Sequence, residues 1–505
     1  MIEWGTAAGL IMLQWLLVNL HSYFLLGIGL TGAVLAEALV RWLWSREAGG
    51  RGVVRLAAVL LVQVGVCFVN PWTWRLAVLP IQTLAFMRAH GIAGGGFTET
   101  GHPWAMIGEF FRPFAPGVFR ESKASWAYCA LLALSAAGVL CAAIRRRWAA
   151  VLIVSAMTAA SLAMRRNIAP AALVVIPLSL WACRDALAGW AGRLLGRFGT
   201  AAALAAGGAL AAVSLYGAFS VVTHRFYRGE RRAVRFGLGV SRTVVPVGAA
   251  EWLNAHRPGG RLWTDYNSSS NVMYFTRPHR SVPVLTNTWA YPPEVMRRVL
   301  DLSRARRPVR GADGQDDYRI VVLRMDRTSI PLARKLVQDP QWALVYLGAL
   351  HVIFLRADGP DAELARRWAV TPATLDLPAY EEALRRADPL GAYATYLGGF
   401  TLANLGWDTQ AIEVLDHLLR RWPAEPGLHR VWNMKGTCFA RRGTLRMLRK
   451  PRPDLRGKQD WHEARNCFLE ALRIRRDYEP AARNLLEVDR QIADERRGVL
   501  HSYPW

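Results

Sequence analysis

Residues 125–183 read SWAYCALLALSAAGVLCAAIRRRWAAVLIVSAMTAASLAMRRNIAPAALVVIPLSLWAC, and their reading decides the architecture of the first half of the chain. Three apolar runs, 125–144, 148–164 and 168–183, are separated by Arg145-Arg-Arg147 and by Arg165-Arg166. Each run approaches the length of helix that crosses about 30 Å of hydrocarbon, and the charges fall between the runs. Working outward, similar runs occupy 5–20, 23–43, 53–70 and 199–220, which makes seven predicted spans in residues 1–220. The first run has no charged segment before it and is followed at once by another apolar run, so it reads as a span and not as a cleaved leader.

Composition agrees with a membrane half. Hydrophobic residues make up 52% of the 505 residues and charged residues only 20%, a balance that excludes a disordered chain. The net charge of +25 raises nucleic acid as a partner. The arginines, however, lie scattered between apolar runs, which fits charge flanking a membrane and attraction to anionic head groups. Six cysteines in a chain of this length do not form a disulfide framework. Cys67, Cys129, Cys141 and Cys183 sit in apolar runs and read as small hydrophobes.

The loops carrying Arg41, Arg46, Arg51 and Arg55, then Arg145 to Arg147, then Arg184, Arg193 and Arg197 share one side, which the positive-inside rule makes cytoplasmic. The expected location is the bacterial inner membrane, with the N-terminus inside. The loop 71–124 and everything after about 221 then face outward. Arg165 and Arg166 break the pattern, because they lie on the outer side. One reading is snorkelling to outer-leaflet phosphates; the other is contact with the phosphate of a lipid-linked substrate, for which the guanidinium fork is suited. The outer loop also holds His102, Trp104, Glu109 and Arg112, the last a further candidate for the lipid-phosphate contact. Glu109 reads either as a base or sugar-hydroxyl ligand or as a carboxylate paired with Arg112.

From 221 to 357 the pattern changes to short Val/Ile/Leu-rich runs alternating with helical periodicity, which predicts a small α/β domain. Strands are expected at Arg261–Asp265, Ser281–Leu285, Tyr318–Arg324, Trp342–Leu347 and His351–Leu355. Helices are expected at Gly248–His256, Pro293–Arg306 and Ile330–Asp339. No glycine-rich phosphate loop and no Gly-x-Ser-x-Gly motif appears there. Asp265 and Tyr266 are followed by Asn267 to Asn271, which reads as a polar turn.

Residues 358–390 read as a Pro-bounded linker, and 391–498 as helices that repeat. Gly399, Leu402, Gly406, Ala411, Leu415 and Pro423 correspond to Gly436, Phe439, Gly443, Ala464, Phe468 and Ala471, a spacing that resembles tetratricopeptide helix pairs. The second unit carries an extra 16 residues near 444–460, and a helix over Glu479–Arg496 caps the array. Such a module binds protein partners and carries no chemistry. Two repeats are few for independent stability, so packing on the α/β domain or on a partner is expected.

Several stretches together resemble bacterial polytopic membrane proteins related to the GT-C glycosyltransferases, which use polyprenyl-phosphate sugars. They are Trp15-Leu-Leu-Val-Asn-Leu-His21 with Phe24-Leu-Leu-Gly27, Asn70-Pro71, Arg165-Arg-Asn-Ile-Ala169, Trp252-Leu253, Gly260-Arg-Leu-Trp-Thr-Asp-Tyr266, Asp339-Pro-Gln-Trp-Ala-Leu-Val-Tyr346 and His351-Val-Ile-Phe-Leu-Arg356. The resemblance covers roughly 10–356. It implies an outer-face site at His21 and the 71–124 loop, a lipid-linked sugar donor and, in an active enzyme, a divalent metal. It also implies a first outer loop bearing a catalytic aspartate. The few residues around His21 hold no carboxylate, so the resemblance implies that the N-terminal catalytic portion is missing or lies on another polypeptide. Where the family has a Trp-Gly-Gly-Tyr-Leu turn and a Phe-Ile-Asp-Gly-Arg strand, this chain has Ser-Ser-Asn-Val-Met and Val-Leu-Thr-Asn-Thr. Two functions follow as expectations: a fragment or partner of a sugar-transferring enzyme, or a membrane-anchored scaffold without chemistry.

Overall fold

The computed structural model describes residues 3–20, 23–45, 50–92, 103–115, 122, 124–195, 199–229, 236, 238–285, 291–309, 317–388, 392–425, 427–449 and 453–497. His21, His102 and Thr286 to Thr288 lie outside them. The chain divides into two compact units, Met1–Ala212 and Val213–Trp505.

The first unit is helical: α1 (Trp4–Leu20), α2 (Phe24–Ser45), α3 (Gly50–Val66), α4 (Trp74–Ala89), α5 (Ala124–Ile144), α6 (Trp148–Ala163), α7 (Ile168–Leu195) and α8 (Gly199–Val222), the last running across the unit boundary. Three stretches are long and apolar enough to cross a membrane: Phe24–Trp44, Ala124–Ile144 and Arg165–Arg184. The other expected spans are helices too, but α1 and α6 have only 17 and 16 residues, and α3 carries Arg51 and Arg55. Their apolar side chains point outward; Val54, Leu61, Leu140, Leu152 and Leu173 are all exposed, the inverse of a water-soluble bundle. Small and polar residues fill the seams instead. A Cβ on Gly138 of α5 would lie 2.8 Å from the Ser179 Cα of α7, so these backbones touch, and the Tyr128 hydroxyl is 2.9 Å from the Ser161 Oγ. Glu37, the acidic group within α2, receives the Ala149 amide at 2.6 Å and pairs with Arg41 at 2.7 Å.

The second unit begins with α9 (Arg225–Gly229), α10 (Val247–His256), β1 (Leu262–Thr264), α11 (Tyr266–Phe275), α12 (Pro293–Ser303), β2 (Ile320–Arg324), α13 (Ile330–Gln338), β3 (Trp342–Leu347), β4 (His351–Arg356) and α14 (Ala362–Arg367). The sheet runs β1-β2-β4-β3, with β1 parallel to β2 and the other neighbours antiparallel. Ile320, Val322, Ile353 and Leu355 meet Trp252, Leu253 and Val272 from α10 and α11 in one core. The expected strand at Ser281–Leu285 is absent. Pro283 cannot donate to a ladder, and the Leu285 amide goes to the Tyr291 hydroxyl at 3.1 Å.

Residues 358–390, expected as a linker, contain α14 and α15 (Leu377–Ala387). Beyond them stand α16 (Tyr393–Leu405), α17 (Asp408–Arg421), α18 (Leu428–Met447), α19 (Arg456–Ile474) and α20 (Glu479–Arg496). A Cβ on Gly399 would come within 2.6 Å of Leu415, and one on Gly436 within 2.6 Å of Phe468. Two matched positions of the repeat therefore make the same contact. Gly406 and Gly443 do not match in role: Gly406 ends α16 at φ +84°, whereas Gly443 lies inside α18 against Trp461. Much of the extra sequence of the second unit lengthens its helices, to 20 and 19 residues against 13 and 14 in the first. The array does pack on the α/β domain. The Thr401 hydroxyl donates to Ala349 O at 2.8 Å, Tyr380 to Gly348 O at 3.1 Å, and Arg334 Nε to Asn404 O at 3.0 Å.

Candidate functional site

The turn between α6 and α7 holds Arg165, Arg166 and Asn167, and two further segments, the loop 103–115 and Tyr23 before α2, converge on it. Beneath it the loop 103–115 is anchored by buried Trp104, Phe110 and Phe111, with Trp104 4.9 Å from the Phe86 ring of α4. The Arg165 amide donates to Phe111 O at 2.9 Å, its Nε to Arg112 O at 3.2 Å and its Nη2 to Ala115 O at 3.1 Å. Arg165 is thus committed to positioning the loop, and its guanidinium also lies 5.5 Å over the Phe111 ring.

Arg166 is placed differently. Its guanidinium lies between the rings of Tyr23 and Phe110, at 5.9 and 5.6 Å, and its Nε reaches the Tyr23 hydroxyl at 3.4 Å. Tyr23, just before α2, is oriented by donating to Asn167 Oδ1 at 2.8 Å, and Asn167 donates to Ala160 O at 2.9 Å. The terminal nitrogens of Arg166 have no acceptor among the described residues. Tyr23, Gly108, Glu109, Arg165 and Arg166 line an open pocket of about 470 Å³, within the roughly 300–1,000 Å³ typical of small-molecule sites. Glu109 is exposed and has no ion pair or hydrogen bond among the described residues.

The pocket therefore gathers Arg165, Arg166 and Glu109 from segments more than 50 residues apart. Arg112 contributes its carbonyl and not its guanidinium, and the Glu109–Arg112 ion pair that stood as one reading is not formed. Trp104 is buried as an anchor and does not line the pocket. Tyr23 was not singled out in sequence; a tyrosine between two apolar runs carries no signal until Asn167 and Arg166 are placed beside it. Chemically, the pocket can offer an anion the terminal N–H groups of Arg166, the single proton of Tyr23 being held by Asn167, and can offer a ligand hydroxyl a carboxylate acceptor. No group of three or more His, Cys, Asp or Glu able to hold a metal occurs among the described residues.

No family model, curated protein or solved structure matches the chain.

In the second unit, Asp265 ends β1, and the residues read as a polar turn after it form α11 instead. Its Oδ1 accepts from the Ser268 amide at 3.1 Å and its Oδ2 from the Arg324 amide at 2.8 Å, so it caps α11 and ties it to β2. Burial, then the neighbouring Asp326 carboxylate, push its pKa up to about 6, against the opposing effect of the two amides. His351, opposite Arg324 in the sheet, is pushed down to about 3 by burial and then by that guanidinium. Both groups serve the fold. Cys438 and Cys467 are buried free thiols of the helical array, raised by burial.

Proposed function

We propose that the chain is a multi-pass membrane protein related to the GT-C glycosyltransferases, which holds the phosphate of a polyprenyl-linked sugar at the Tyr23–Glu109–Arg166 pocket. What carries this reading is Arg166: a guanidinium held between two aromatic rings, with its outer N–H groups meeting no acceptor among the described residues. Seven spans complete the picture, with α1, α3, α6 and α8 joining the three longer helices, the N-terminus cytoplasmic and the pocket on the outer face. In the transfer, the bond from the sugar carbon to the phosphate oxygen breaks as the acceptor oxygen bonds to that carbon. The acceptor proton passes to a carboxylate, for which Glu109 is the candidate here, while Arg166, held in place by Tyr23, stabilises the departing phosphate. A divalent metal and a further acidic loop would come from a companion polypeptide, which makes this chain a fragment or partner of the full enzyme.

Binding of a short-chain polyprenyl phosphate to the purified protein tests the reading. Arg166→Gln should weaken it on the order of tenfold or more, as expected for losing a charged partner. Equal binding by the variant would overturn it. Reporter fusions after Arg146 and after Tyr227 test the orientation, and should report opposite sides.

A second reading has its own support. The matched Gly399–Leu415 and Gly436–Phe468 contacts favour a tetratricopeptide-like array, hence a membrane-anchored scaffold that recruits a cell-envelope protein. Deletion would then leave envelope glycans unchanged while releasing that protein.

A further inference from the structure

The end of α6 away from the pocket carries a second basic cluster, built differently. We propose that the turn joining α5 to α6 binds the phosphate headgroup of an anionic membrane phospholipid, an inference that rests on reading these helices as membrane-embedded. Arg146 stands at φ +54°, a left-handed conformation in which Gly or Asn is unstrained and other side chains are uncommon. The turn is fastened in that shape. The Arg147 amide donates to Ala142 O at 2.8 Å, the Arg146 amide to Ala143 O at 2.9 Å, and Arg41 Nη2 of α2 to Arg146 O at 3.1 Å.

Arg146 and Arg147 of this turn have no carboxylate partner among the described residues. Glu37, the carboxylate of the neighbouring α2, is already engaged by Arg41 and by the Ala149 amide. The Arg146 side chain is exposed and has no hydrogen bond or ion pair among the described residues. The Arg147 guanidinium lies over the Trp181 ring of α7, 3.9 Å from its centre, and its Nη1 is buried and has no partner among the described residues. An arginine over a tryptophan ring with an unsatisfied donor, preceded in the chain by an exposed guanidinium without an acceptor among the described residues, is a site suited to a phosphate oxyanion.

The occupant is a lipid because of what adjoins the turn. Leu140, Ile144, Trp148, Leu152, Leu180 and Trp181 are all exposed on α5, α6 and α7 close to these arginines. That surface suits acyl chains, and the tryptophans suit the headgroup boundary. A free phosphate ion would use the arginines and leave the apolar surface uncovered.

The test uses the full chain in phosphatidylcholine vesicles with increasing phosphatidylglycerol, washed with carbonate and then examined by native mass spectrometry for retained lipid. The wild type should retain phosphatidylglycerol over phosphatidylcholine on the order of tenfold, declining as salt is raised. Arg146→Asn/Arg147→Gln, which keeps a residue tolerant of the left-handed position, should lose most of that preference. The salt titration needs no variant and so holds if the variant misfolds. Absence of preference in a wild type that survives the carbonate wash overturns this inference alone, as does full preference in the double variant. Inorganic phosphate displacing the retained lipid at equal concentration also overturns it. Release of the protein by carbonate overturns both this inference and the membrane reading beneath it.

Discussion

Replacing Arg441 by Met should destabilise the second unit more than any surface substitution, and the structure sets the size. Asp408, the first residue of α17, is 5% exposed, and both of its oxygens accept from Arg441 of α18, Nε reaching Oδ2 at 2.8 Å and Oδ1 at 3.0 Å. Arg441 Nη2 bonds Oδ1 as well and also donates to the Ala403 carbonyl, so three acceptors depend on one guanidinium. Burial by itself would lower the Arg441 pKa, but its hydrogen bonds to Asp408 and the attraction of that carboxylate raise it, while burial raises the Asp408 pKa against the opposing effect of Arg441, so each group depends on the other for its charge. Removing one member of a buried pair costs about 3–5 kcal/mol, because the other is left buried and uncompensated. For a cooperative unit of this size, that is a fall of roughly 5–8 °C in Tm. The assay is thermal unfolding of the purified chain in detergent for the wild type, Arg441→Met, Asp408→Leu and the double variant. The double variant should return to within about 1 kcal/mol of the wild type, since a packed apolar pair replaces a buried ionic one. A single-variant loss under about 1 kcal/mol, or a double variant as unstable as the sum of the singles, would refute the reasoning.

Three further outcomes are expected. The raised pKa of Asp265 means that its folded form binds a proton more strongly than the unfolded chain, so its contribution is full below about pH 4 and is lost as pH rises through about 6; His351, held neutral, works the other way and loses stability as pH falls below about 6.5. Unfolding profiles should therefore slope oppositely in His351→Gln and Asp265→Asn between pH 4 and 6, and parallel slopes would contradict these assignments. Gly443→Ala places its Cβ 2.8 Å from the Gly457 carbonyl, which cannot move as a side chain can, so it should cost about 1–3 kcal/mol in a melt despite the gain in helix propensity; a neutral result would mean that α18 and α19 are not so close. Gly138→Leu should separate α5 from α7 and lower detergent stability, with Leu140→Phe on the exposed face as a control that changes little.

The helical periods and turn residues were legible because they are local. The bounds of β3 and of α20 coincide with their sequence reading, as Trp342–Leu347 alternates within a short apolar run and Glu479–Arg496 begins with Glu-Pro at a helix start. The polar run Asn267 to Asn271 misled for an equally local reason: serines and asparagines favour turns unless a capping carboxylate and a sheet to pack on are both in place, and Asp265 and β2 are 59 residues apart. Residues 358–390 read as a linker because their prolines mark element starts as readily as breaks, and Pro378 stands near the start of α15.

Sequence by itself determined that apolar helices precede a small α/β domain and an array of paired helices, since each depends on the spacing of residue types along one segment. It also singled out Arg165, Arg166 and Glu109 as residues whose charge sits oddly in its surroundings. Only the tertiary structure decided how these charges divide their work. Arg165 faces three loop carbonyls and the Phe111 ring, Arg166 faces Tyr23 and open space, and Arg112 turns its carbonyl inward. What a guanidinium can bind depends on which acceptors already surround it, and those acceptors come from distant parts of the chain.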